Sequence, residues 1–571
     1  MQHSSAGLHA TVGDPHLHTV TGQSDTDYPR RTLAELRARP EERTWRPVAW
    51  RGDVVAVPIV LWADEDLPEV AAEARITSAG GRTLPVRLDF VAEVLAARGN
   101  PSLGNPQQPV PDVLDGPTPR PLPRDQALTM RVAVEVPQDA EPGRYSGAIE
   151  IRTSGEPLSV AVELEVLDLA LPATTTAWLD LWQNPFAIAR VHGIGADGLW
   201  SETHLEAMRP YYALLAAAGQ KVITTTVVRD PWASQTEDVY ESMVAWRRAA
   251  DGRLSFDFGD FDTWVSFLLG LGIDRQIDAY GMVGWANTVT FFDEATGRSE
   301  TVTVEPGTEP WRALWGPFLT AFVPHLEQHG WLERTTMALD ERVLADVMAV
   351  ADFVDEVSGG RLGVSAATDY DSMTDPALDR VRAVSVRHDT VSMEDGVFAG
   401  AAHRRSGLGL VTTLYTCTGN FPNSFTRSSP AEGVWMGWKV ERFGASGLLR
   451  WAYDSFNAEP LVTTDFRSWE SGDAFLVYPG PRSSVRFEAL REGLRDLDRI
   501  RVLRADPQAA VELDALLATM RDEGVGYDPL GGVIDPRVID LPAEVARLQR
   551  GLLDIAIAHL ARRGAATLDR P

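Results

Sequence analysis

A chain of 571 residues with a formal charge of −28 and one cysteine, Cys417, excludes several kinds of function at once. Nucleic acid and anionic membrane surfaces are held by clustered Lys and Arg that release counterions, so neither is an expected partner. One thiol allows no intrachain disulfide and no cysteine-based metal cluster, while the length calls for two or three domains.

The 44% hydrophobic and 8% aromatic content are those of a folded soluble protein, with seventeen tryptophans against eleven tyrosines. Flat apolar rings in that number suit stacking on sugar faces as well as large cores. No stretch approaches the about 20 apolar residues of a membrane span, and residues 1–30 carry no apolar run of secretory length. A cytoplasmic protein is expected.

In chain order, residues 1–45 read as a polar leader. Its His16 and His18 form an HxH pair, expected here in a solvated tail rather than a metal site. Residues 46–172 show period-two runs, among them 54–61, 128–136 and 158–166, which predict an antiparallel β-sandwich. Asn100 to Arg124 is rich in proline without periodicity and reads as a long extended loop. From 173 to 482 the pattern becomes strands alternating with helices. Strands are predicted at 178–182, 221–228, 277–283, 335–340, 362–367, 383–387, 409–415 and 447–452, with an excursion at 288–292 and 299–304. Eight such strands over about 280 residues is the count of a barrel. Residues 483–571 read as helices packed on it. The expected fold class is therefore α/β, a (β/α)8 TIM-type barrel with an N-terminal β-sandwich and C-terminal helices.

The fourth barrel strand ends in Asp340-Glu341, followed by the helical spacing of Val343, Leu344, Val347, Val350 and Val354. Adjacent carboxylates suit acid/base chemistry, because confinement lets one stay ionised while the other keeps its proton to higher pH. The plainer alternative is that Asp340 caps the helix and Glu341 favours its dipole.

The other strand ends carry indoles, amides and carboxylates: Trp182 and Asn184 after strand one, Asp230 and Trp232 after two, Trp285 and Asn287 after three. Asp369 follows strand five, Tyr415 and then Asn423 follow seven, and Trp451, Tyr453, Asp454 and Asn457 follow eight. Rings for stacking and bidentate partners for hydroxyls on one rim are what a sugar pocket needs, so a glycan or oligosaccharide is the expected partner. There is no nucleophile elbow, HExxH or paired-cysteine motif, and no metal or cofactor is expected.

Several runs together resemble the glycoside hydrolase family 123-type catalytic domain: Asp180-Leu181-Trp182-Gln183-Asn184-Pro185-Phe186, Asp230-Pro231-Trp232, Met337-Ala338-Leu339-Asp340-Glu341-Arg342, Pro422-Asn423-Ser424-Phe425, and Leu449-Arg450-Trp451-Ala452-Tyr453. Gln108-Pro109-Val110-Pro111-Asp112-Val113-Leu114 and Pro142-Gly143-Arg144-Tyr145 resemble that family's N-terminal domain. The resemblance implies a retaining, exo-acting β-N-acetylgalactosaminidase in which the substrate's 2-acetamido oxygen attacks the anomeric carbon. It assigns Asp340 to orienting the acetamido group and offsetting positive charge, and Glu341 to protonating the leaving oxygen, outside the usual two-carboxylate scheme. Two alternatives stand beside it. One is a glycosidase for a sugar lacking the acetamido group, with Asp340 or Asp454 as nucleophile; the other is a non-catalytic carbohydrate-binding protein.

Overall fold

Along Leu158–Ala170 the side chains of Val160, Val162, Leu164 and Val166 are buried while Ser159, Glu163 and Glu165 are exposed, the alternation of a strand with one dry face. The computed structural model describes residues 7–21, 30–388, 391, 396–417, 421–521 and 540–568. Two units emerge: Met1–Thr176 with Gly419–Lys439 and Leu461–Pro571, and Ala177–Thr418 with Val440–Pro460.

In the first unit two sheets enclose an apolar core. One runs in the order Leu8–Val12, Val54–Ala63, Leu128–Glu135, Val86–Ala97, Gln107–Leu114; the other centres on Leu67–Ser78, Gly143–Arg152 and Leu158–Ala170. Ile59, Leu61, Phe90, Val132, Ile149 and Val160 are among the side chains buried between them.

Two expectations are corrected here. Residues 8–20 are not part of a solvated tail: Leu8–Val12 pairs antiparallel with Val54–Ala63, and both His16 and His18 are buried, His18 against the Ser428 carbonyl at 2.9 Å. The alternation of Leu8, Ala10 and Val12 with His9 and Thr11 is only five residues long, and its pairing partner lies over forty residues away. The proline-rich stretch is not all loop either. Gln107–Leu114 is a strand at the edge of its sheet, laddered to Val86–Ala97, with one further bridge from Val113 to Ser484. Pro109 and Pro111 are tolerated because an edge strand leaves one side of its backbone without ladder bonds.

The C-terminal helices Val485–Leu503, Pro507–Leu517 and Leu541–Leu568 group with the sandwich instead of the barrel. A buried ion pair fastens the first of them, with Arg486 Nε donating to Asp112 Oδ2 at 2.8 Å. Arg499 likewise donates to buried Asp53 at 2.6 Å.

The second unit is the barrel. Its strands are β1 (Trp178–Leu181), β2 (Val222–Thr226), β3 (Gln276–Tyr280), β4 (Thr335–Leu339), β5 (Gly363–Thr368), β6 (Ala383–Arg387), β7 (Val411–Thr416) and β8 (Gly447–Arg450). Parallel pairing runs β1-β8-β7-β6-β5-β4-β3-β2, and the ring is nearly closed. Between β1 and β2 the contact is one bridge, Leu179 to Gln220, and two buried glutamines stitch the rest. Gln220 Oε1 accepts from Leu181 N at 2.9 Å and Gln183 Oε1 from Thr224 N at 2.8 Å, so side-chain amides supply bonds the backbone ladder lacks there. The excursion is larger than the sequence indicates. Ala245–Arg248 and Leu254–Asp257 join Thr288–Asp293 and Arg298–Thr303 in a four-stranded sheet.

Candidate active site

The helix after β4 begins at Leu344, with Val343 at its N-cap and no side-chain cap bond. Asp340 and Glu341 therefore lie outside the helix, in the turn leaving the strand, and the capping reading of the pair does not hold. Glu341 has φ +48°, a left-handed conformation that costs a non-glycine residue of order 1 kcal/mol or more and tends to persist at functional sites. The turn is anchored behind it, Arg342 N donating to Ala367 O at 3.1 Å and Thr368 Oγ1 to Arg342 O at 3.0 Å.

The two carboxylates face different partners. The Trp285 indole donates to Asp340 Oδ2 at 2.9 Å, and the Arg342 guanidinium sits 5.5 Å from the Trp285 ring centre. The Tyr415 hydroxyl, on β7, donates to Glu341 Oε1 at 2.9 Å. Burial first, and the neighbouring charge of Glu341 second, push Asp340 up to about 7, against the opposing pull of the Trp285 bond. Tyr415 is raised by burial and then by Glu341. A half-buried Asp340 and an exposed Glu341 thus form a pair with separate environments on one rim.

Beside Asp340 stands an aromatic wall. Trp182 and Trp232 have ring centres 5.0 Å apart, and Tyr280 lies 4.8 Å from the first and 5.0 Å from the second. Gly284 makes the approach of the third loop to the second possible. A Cβ there would come within 3.0 Å of the Pro231 carbonyl, which also accepts from Trp285 N at 2.8 Å. Trp232 is set in a loop where Asp230, Ala233 and Ser234 all have positive φ.

Of the predicted rim residues, the structure brings Trp182, Trp232, Trp285, Asp340, Glu341 and Tyr415 into this constellation. Trp451 is half-buried after β8, and Asn287 is half-buried with its amide oxygen unpartnered among the described residues. Others serve the scaffold. Asn184 caps Pro185–Val191, accepting from Ala187 N at 3.2 Å, and its own N–H donates to Asp454 at 2.7 Å. Asp230 binds the N–H and hydroxyl of Ser234, Asp369 those of Ser372, and Tyr453 donates to the Tyr211 carbonyl at 3.0 Å. Asn457 is buried, its carbonyl accepting from Arg190 at 3.0 Å. Asn423 belongs to the first unit, where its N–H donates to Glu432 at 3.0 Å. Asp454 is fully buried, accepts from Tyr212 at 2.9 Å as well as from Asn184, and is raised by burial to about 7.

Sequence reasoning missed Tyr280 and Arg342 as parts of the constellation. It also missed Asp180 and Asp278, buried inside the barrel, where Asp278 Oδ1 accepts from Ser365 at 3.1 Å and Gln276 at 2.7 Å. Period-two alternation along β3 was the available signal, since Asp278 and Tyr280 share the inward face.

The family model described as glycoside hydrolase 123, catalytic domain, matches residues 182–503, and that described as glycoside hydrolase 123 N-terminal domain matches residues 21–153. A solved family 123 glycoside hydrolase from Clostridium perfringens, studied for the details of glycolipid glycan hydrolysis, is 28% identical with a TM-score of 0.91. The match covers 98% of this chain and 100% of that one. Bacteroides uniformis beta-glucuronidase 3 is 10% identical at a TM-score of 0.28, covering 85% of this chain and 51% of its own, a likeness too slight to carry an argument. No curated protein sequence matches.

Proposed function

The chain belongs to glycoside hydrolase family 123, and from that premise we propose that it is a retaining, exo-acting glycosidase for a terminal β-linked 2-acetamido sugar, N-acetylgalactosamine foremost, working by substrate assistance. The observation that carries the reading is the adjacent pair at the end of β4, with Asp340 held by Trp285 and Glu341 by Tyr415.

In this reading Asp340 accepts a hydrogen bond from the acetamido N–H, so that the acetamido oxygen is aimed at the anomeric carbon. As that oxygen bonds to carbon and the glycosidic bond breaks, positive charge spreads over the new ring, and the carboxylate offsets it. An N–H donor and a nearby cation both favour ionised Asp340, so substrate binding draws off the proton that burial retains in the empty site. Glu341, exposed and able to reach a leaving oxygen, gives its proton to the departing group and then takes one from the water that reopens the ring. Exposed Trp285 supplies an apolar face for the sugar, while Trp182 and Trp232 are buried in the aromatic wall beside Asp340. The Trp182 indole N–H and the Asn287 amide oxygen, buried without partners among the described residues, suit hydroxyls, since buried polar groups are otherwise almost always bonded.

Glycan hydrolysis on glycolipids by the Clostridium perfringens relative supports a glycolipid glycan as the substrate class. Among the described residues no helix is long and apolar enough to cross a membrane. With one cysteine in the chain, a cytoplasmic setting is proposed as well. The test is hydrolysis of aryl β-glycosides in matched pairs with and without the 2-acetamido group. Cleavage is expected only where the group is present, and equal rates on the 2-hydroxy sugars would sink the substrate-assisted reading.

A further inference from the structure

Two helices of the barrel unit bring together three metal-binding side chains that the glycosidase chemistry does not use. Asp262 lies on the helix Gly259–Gly270, His325 in the last turn of Glu309–Gln328, and His329 at that helix's C-cap. One ligand atom from each lies within 4.8 Å of the others, and no other such group of three occurs among the described residues. His325 Nε2 is 2.7 Å from Asp262 Oδ1, and His329 Nε2 is 3.9 Å from Asp262 Oδ2.

The orientation of His329 is what separates this cluster from a simple ion pair. Its Nδ1 lies 3.0 Å from the His325 carbonyl, which can only accept, so Nδ1 carries the hydrogen and Nε2, on the side of Asp262, is the nitrogen left to bind a metal when the ring is neutral. An imidazole whose second nitrogen is fixed on a backbone carbonyl is the usual outer arrangement of a metal-bound histidine. Both rings are further held by stacking, His325 on Phe258 at 4.4 Å and His329 on Trp331 at 4.6 Å.

We propose that Asp262, His325 and His329 form a site for a divalent transition ion, zinc foremost, with two imidazole nitrogens, one carboxylate oxygen and a water completing a tetrahedral set. Nitrogen ligands select such an ion over calcium or magnesium, which take oxygen. Its role is to clasp the two helices, and it takes no part in glycoside cleavage.

The experiment uses the untagged full-length protein, stripped with a chelator, dialysed, and titrated with zinc alone against a chromophoric competitor. One equivalent is expected to bind, and the unfolding temperature to rise with free zinc, as any ligand of the native state requires; magnesium should do neither. His329→Ala removes an exposed ligand and should weaken zinc by more than the roughly 10–100-fold that losing an outer partner costs. Asp262→Asn, which keeps a hydrogen-bond acceptor for His325, should do the same. No stoichiometric uptake, or unchanged affinity in both variants, overturns the site. Loss of aryl glycoside cleavage on stripping overturns the clasp role.

Discussion

The hydroxyl of Tyr415 at the end of β7 donates to Oε1 of Glu341 at the end of β4, 2.9 Å across the rim. The bond fixes a carboxylate whose backbone is already in the left-handed region, so the side chain and the turn are set together. Tyr415→Phe removes the bond and keeps the ring. A hydrogen bond to a charged group contributes about 1.5–3 kcal/mol, so kcat should fall by roughly 10–100-fold with little change in KM. Loss confined to KM would place Tyr415 in ground-state binding instead.

Glu341→Gln should lower kcat by roughly 10²–10⁴-fold on substrates with poor leaving groups, the range that general acid catalysis supplies. A dinitrophenyl leaving group needs little protonation, and the loss there should be much smaller. Equal losses on both substrates would remove Glu341 from the acid role.

The barrel was legible because its strands are short apolar runs separated by helical spacing, and the pair at 340 and 341 stood out because two carboxylates closed such a run. What escaped was set by side chains acting across the ring. Gln183 lies between the rim candidates Trp182 and Asn184 in sequence, and the seam between β1 and β2 uses its side chain as a bonding group. Asn184, Asp230 and Asp369 have the chemistry of sugar ligands but are drawn into caps and turns, which short polar side chains satisfy at lower entropic cost. The first strand escaped for a different reason. Leu8, Ala10 and Val12 alternate with His9 and Thr11 over five residues only, and the partner Val54–Ala63 is remote in sequence.

Asp340 also has a measurable consequence for stability. Its carboxyl is raised to about 7 in the folded chain, against about 4 when unfolded. The folded state then holds the proton more tightly, so the contribution of the neutral form is complete below about 4 and is lost as pH rises to about 7. Asp340→Asn abolishes this titration and leaves an oxygen for the Trp285 N–H. By thermal unfolding the variant should exceed the parent at pH 8, and the gap should close near pH 4. A gap that stays constant with pH would show that the carboxyl is not held protonated by its surroundings.

The last prediction concerns which atom attacks the sugar. A sugar-derived thiazoline copies the bicyclic intermediate, with sulfur in place of the acetamido oxygen. If that oxygen is the nucleophile, the thiazoline should bind at least ~10²-fold more tightly than the product sugar, as ligands resembling the transition state do. Asp340→Asn should weaken it, since an amide cannot offset the partly cationic ring. Affinity should also fall as pH drops through about 7, where Asp340 takes up its proton and loses that charge. Asp454, the other carboxyl considered as a nucleophile, is fully buried and accepts from Asn184 and Tyr212, so it has no open path to an anomeric carbon. A 2-fluoro glycoside should therefore leave no covalent adduct by mass spectrometry. An adduct on any carboxylate of residues 335–342 or 451–457 would end the substrate-assisted reading and leave the glycosidase assignment standing.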